Sequence, residues 1–183
     1  MLHYHFGAKD EFLRTLLQQM YEEMFAALAG SLRAGDDART QLRAALATLA
    51  RFARTQRPGL ARLWLDALAG EAVAVEFFAR NSSRHIGLLL GLLQRAQGEG
   101  ALRPMPPLQA LMFLLGAVVL PMLFVGGLVH ARAVPSMPVA SFDAQVLSDA
   151  AIDERVAAAL DALAAPDVPA PARRRRARQG DRG

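Results

Sequence analysis

Apolar side chains recur every three or four positions through most of this chain, the interval at which residues return to one face of an α-helix. Leu13, Leu16, Leu17, Met20, Met24 and Leu28 follow it, with Arg14, Gln18, Gln19, Glu22 and Glu23 between them, so a helix is expected over residues 9–34. Asp10 and Glu11 fall in its first turn, where carboxylates favour exposed amides, and Gly30 and Gly35 weaken and end it. Asp36 or Asp37 caps a second helix at 38–56. Leu42, Leu46, Leu49 and Ala53 form its buried stripe, Arg39, Arg43, Arg51 and Arg54 its outer face, and Pro58-Gly59 its stop. A shorter helix at 60–69 carries the single Trp, Trp64, and a segment at 71–80 ends in Phe77-Phe78. Asn81-Ser82-Ser83 reads as the cap of a helix at 83–97, whose stripe is Ile86, Leu89, Leu90, Leu93 and Ala96.

After Gly98-Glu99-Gly100 the pattern changes. Residues 108–129 are apolar apart from Gln109, and Pro121 should kink or divide that run, because its nitrogen carries no proton for the helix ladder. A Pro- and Ser-rich loop at 135–141 leads to a last helix at 143–165. Ile152, Val156, Leu160 and Leu163 share one side of it, with Asp149, Asp153, Glu154 and Asp161 largely on the other. No internal repeat is visible. The expected fold is all-α, five to seven helices joined by short loops.

Composition agrees with that fold class. Hydrophobic residues make up 53% of 183 positions, which is ample for a core, and Ala and Leu dominate them. With no cysteine, disulfides and thiolate metal sites are excluded. The net charge of +4 resolves into two parts: residues 173–183 hold six Arg against one Asp, giving +5, so the other 172 residues sum to −1. A broad DNA-binding face on that near-neutral body is not expected. Residues 166–183 combine Pro, Ala and Arg without a hydrophobic period and are expected to be disordered. No charged leader followed by an apolar stretch opens the chain, so the cytoplasm is the expected compartment.

The stretch from residue 2 to residue 13 reads Leu2-His3-Tyr4-His5-Phe6-Gly7-Ala8-Lys9-Asp10-Glu11-Phe12-Leu13. It resembles the junction in TetR-family transcriptional regulators where the recognition helix of a helix-turn-helix ends and a long connecting helix begins. Gly98-Glu99-Gly100-Ala101-Leu102-Arg103-Pro104 is similar to a Gly-x-Leu-Arg link of the same family. The resemblance implies a TetR-type C-terminal ligand-binding and dimerisation helical bundle over residues 9–165, with a remnant of the helix-turn-helix at 1–8. It further implies phosphate contacts from His3, Tyr4, His5 and Lys9, and interior packing for Leu2 and Phe6. Ala8 stands where the family usually has Ser, so the capping box with Glu11 is lost, at about 1 kcal/mol. Only Met1 precedes the junction, so the chain is expected to begin part-way through its DNA-reading element and to bind operator DNA specifically only with an intact N-terminal domain.

In the family scheme a small molecule, here expected to be apolar or amphipathic, binds among the helices and shifts the paired reading heads. Trp64, Phe77, Phe78, Met112, Phe113, Met122 and Phe124 are the expected pocket lining, although large apolar residues at this spacing also serve as plain core. His85 and His130 are candidate polar anchors. Ile152, Val156, Leu160 and Leu163 are the expected homodimer interface. His3 and His5 lack a third metal ligand nearby, and no nucleophile–base pair, paired carboxylates or phosphate-cradling glycine loop is present, so neither a cofactor nor an enzyme is expected. The competing reading is a small helical membrane-associated protein, because 22 nearly unbroken apolar residues at 108–129 meet the length of a membrane span.

Overall fold

The computed structural model describes residues 2–124 and 138–166, with side chains from Lys9 onward except Val139. Six helices carry the architecture among those residues: α1 (Leu2–Gly30), α2 (Ala38–Thr55), α3 (Arg57–Leu68), α4 (Ala72–Gly98), α5 (Pro107–Val118) and α6 (Asp149–Ala162). No strand occurs among them, and one antiparallel bridge pairs Leu102 with Ala164. The all-α expectation holds.

Several boundaries differ from the sequence pattern, each for a local reason. α1 passes through Gly7 and Ala8 without a break, because Ala8 offers no side-chain oxygen to cap a new start at Lys9. It ends at Gly30 rather than near residue 34, where the Ser31 hydroxyl donates to the Leu28 carbonyl at 2.7 Å. α2 begins as expected: the Asp37 carboxylate accepts from the Thr40 amide at 2.8 Å and from its hydroxyl at 2.9 Å. Pro58 does not delay α3, since it lies in the first helical turn, where a missing N–H costs nothing.

The largest difference is α4, 27 residues long and continuous through Asn81-Ser82-Ser83. Asn81 is not a cap. Its Nδ2 donates to the Phe77 carbonyl one turn back, and its own carbonyl takes a hydroxyl from α1. Leu89, Leu92, Leu93 and Ala96 then meet Leu42, Ala45, Leu46 and Leu49 of α2 in the main core. Gly100 closes α4 at φ 73°, a left-handed conformation that suits glycine. The following residues clamp the far end of α6: Leu102 is buried and the Arg103 amide donates to the Leu163 carbonyl at 2.9 Å.

α5 ends at Val118, and helical backbone resumes at 120–124 with Pro121 in its first turn, so the expected division at that proline is present. The last helix starts later than the pattern suggests. A helical turn at Val139–Phe142 and a π-helical turn at Asp143–Leu147 precede it, and the Ser148 hydroxyl accepts from the Ala151 amide to cap α6. Three of the four arginines expected on the outer face of α2 hold α6 instead, while Arg43 is exposed as expected. Arg51 pairs with Asp149 at 3.1 Å and Asp153 at 2.6 Å, Arg54 with Asp149 at 3.0 Å, and Arg39 with Asp161. The Arg-rich residues 173–183 lie outside the described residues, as does His130.

Two outcomes test this packing. Leu93→Ala, at a fully buried site, should cost about 2–5 kcal/mol in denaturant unfolding. The hydrogen bond from Arg51, with Arg54 beside it, holds the Asp149 carboxyl below the usual carboxylate range. A lowered folded-state pKa adds stability above the unfolded value of about 3.9 and loses it as pH falls through the folded one. Asp149→Asn should therefore lower the melting temperature at pH 7, and the gap from the parent chain should close as pH falls below about 4.

Candidate ligand-binding site

The contact of α1 with α4 has the most chemistry. α1 buries Leu17, Tyr21, Met24 and Leu28, spaced four, three and four residues apart. Leu13 and Leu16, expected in that stripe, are exposed, and Met20 is only partly buried. Tyr21 is 4% exposed, and its hydroxyl donates to the Asn81 carbonyl at 2.6 Å. His85 Nδ1 lies 3.4 Å from the same hydroxyl. The Tyr21 ring meets Phe77 edge-on at 6.1 Å and stacks with Phe25 at 6.2 Å. Arg84 lies over the Phe25 ring at 4.2 Å and pairs with Glu22 at 2.6 Å. Burial pushes the His85 imidazole below its ordinary pKa, with the Asn81 carbonyl partly opposing. Burial likewise raises the Tyr21 phenol against the lowering charge of Arg84.

Toward the start of α1 this contact becomes a smaller apolar cluster. Leu17, Leu63 and Ala74 are buried there, with Met20, Val73, Phe77 and Phe78 packed against them, and Trp64 meets Phe78 at 4.9 Å between ring centres. Grooves flank it on both sides. One, about 760 Å³, runs between α1, α3 and the start of α4, with Leu13, Leu16 and Met20 in its wall and Lys9, Glu23, Arg62 and Glu71 among its polar residues. The other, about 470 Å³, lies along the α1–α4 seam, with Leu17, Val73 and Phe77 beside Arg14, Glu76, Arg80 and Asn81. Both volumes fall in the range of small-molecule sites.

The expected pocket set does not converge. Trp64, Phe77 and Phe78 gather in the smaller cluster. Met122 is fully buried in the main core and Phe124 packs against it. Met112 and Phe113 point outward, 51% and 44% exposed, with Leu108 and Leu120 also exposed along the same segment. The expected dimer stripe, Ile152, Val156, Leu160 and Leu163, lies buried inside the chain's own core. Their period marks a core-facing side, and periodicity cannot say whose core. Of the expected phosphate contacts, Lys9 is exposed at the groove, while the side chains of His3, Tyr4 and His5 lie outside the described residues.

Tyr21, Asn81 and Arg84 are functional candidates the sequence pattern did not single out. The available signal was Tyr21 itself, four residues after Leu17 and three before Met24, a phenol on an otherwise apolar stripe. Tyr21→Phe should cost about 0.5–1.5 kcal/mol in denaturant unfolding by removing one buried hydrogen bond. For His85, a folded-state pKa below the unfolded value of about 6.5 makes stability fall as pH drops below 6.5, because the unfolded chain takes up the proton first. The difference in unfolding free energy between the parent and His85→Gln should therefore change between pH 7.5 and 5, and a constant difference would remove the role given to burial.

No family model, curated protein or solved structure matches this chain.

Proposed function

We propose that this chain is the sensing and dimerising module of a ligand-responsive transcriptional regulator of the TetR type, acting in the cytoplasm. The observation that carries the reading is the residue pattern at 2–13, which resembles the family's junction, although here one helix runs through it where the family has the end of one helix and the start of another. Operator DNA is read only with an intact N-terminal domain. Lys9 and its neighbours alone would give weak, salt-sensitive phosphate affinity. A small apolar or amphipathic effector in the grooves beside α1 changes how that helix sits on α4. A shift there reaches the junction end, provided the effector binds one arrangement better than the other.

In this reading the dimer forms through α5. Leu108, Met112, Phe113 and Leu120, on α5 and the turn after it, are four exposed large apolar side chains on one segment, and exposed apolar patches mark interaction sites. The same segment supports the second reading: residues 107–124 have a mean hydropathy of 2.1 with a third of them buried, which is long and apolar enough for a membrane span.

One experiment separates the two. After detergent-free lysis, the regulator reading expects a soluble chain that runs as a dimer in light scattering, and a monomer once Met112→Glu and Phe113→Glu are introduced together. Recovery in the membrane pellet favours the anchor, and a soluble monomer without either substitution overturns the dimer.

A further inference from the structure

We propose that the groove along the α1–α4 seam is a site for an organic monocarboxylate with an apolar body, its carboxylate held between Arg14 and Arg80. This names the effector class within the regulator reading and rests on that reading's placement of the effector beside α1. The geometry has two parts. Arg14 Nε meets Glu76 Oε2 at 3.0 Å and Arg80 Nη2 meets Glu76 Oε1 at 2.5 Å, so two guanidinium groups share one carboxylate. The other acid lining the groove, Glu22, is taken by Arg84 at 2.6 Å and by Gln18 at 2.9 Å. Among the side chains lining the groove, Arg14 and Arg80 therefore exceed Glu76 by one positive charge. The remaining N–H groups of both guanidiniums have no described acceptor, and the planar fork of each matches a carboxylate.

The second part is apolar: Leu17, Val73 and Phe77 line the same groove, giving an aliphatic body a surface to cover. Glu76 thus acts as a resident stand-in for the ligand's carboxylate, held below the usual carboxylate range first by the hydrogen bond from Arg14 and then by the charge of Arg80.

The full chain is titrated calorimetrically with decanoate below its micellar concentration, and with decanol and decyltrimethylammonium as neutral and cationic counterparts. Saturable decanoate binding is expected, about tenfold or more tighter than either counterpart. Arg14→Gln with Arg80→Gln should weaken it by a similar factor, and Glu76→Gln should tighten it several-fold by removing the internal competitor. A merely structural Glu76 would not produce that gain. Circular dichroism melting checks that the variants, all at solvent-accessible side chains, remain folded. Equal binding of the three headgroups, indifference to the paired arginine substitution, or loss of binding on Phe113→Glu instead would each overturn the site. A dimer that ignores decanoate removes this proposal and leaves the regulator reading; a monomer that binds it through Arg14 and Arg80 does the reverse.

Discussion

The hydrogen bond from the Tyr21 hydroxyl to the Asn81 carbonyl joins the two longest helices of the fold where α4 is locally weakest. Asn81, Ser82 and Ser83 each have side chains that compete with the backbone for hydrogen bonds, which disfavours a helix interior. Here the Asn81 amide is occupied one turn back, and the Tyr21 hydroxyl donates to its carbonyl inside an aromatic enclosure of Phe25 and Phe77. α4 therefore stays one rod. Its first half can carry Phe77 and Phe78 against α1 and α3 while its second half carries Leu89, Leu92 and Leu93 against α2.

With α4 continuous, the remaining elements are held from its far end. Gly100 turns the chain, and the Leu102 bridge and Arg103 amide take hold of the end of α6. α2 closes the circuit from the other side through Arg39, Arg51 and Arg54. These ion pairs are half or more exposed on the acidic partner and add register more than energy. Among the described residues, the grooves flanking the first half of α1 and the outward side of α5 both present apolar side chains to solvent. The proposed function draws on both, the first for the effector and the second for the partner copy.

Much of this was legible in the residues. The α2 stripe, its Asp37 cap, the glycine turn after α4 and the division at Pro121 follow from local rules that the fold obeys. What was not legible depended on partners distant in sequence. The break expected at Asn81 was cancelled by a phenol 60 positions earlier. The arginines of α2 read as a solvated face because their acids lie about a hundred residues on in α6. Apolar period identified Ile152, Val156 and Leu160 as one face but could not tell an internal core from an interface. Conversely, Met112 and Phe113, placed in the pocket, lie on the outside because α5 is apolar on more than one side, so its pattern carries no direction. The site was half visible: Phe77 and Phe78 were in the expected lining, whereas the Arg14–Glu76–Arg80 arrangement needed α1 and α4 set side by side.

Amide hydrogen exchange across residues 79–87 tests the central claim, that α4 is a single helix pinned to α1 at Asn81. These amides should exchange as slowly as those of the Leu89–Ala96 core, and in the Tyr21→Phe chain their protection should fall while that core stays protected. Fast exchange at 81–85 in the parent chain, with slow exchange on both sides, would contradict it and make α4 two helices joined at a hinge.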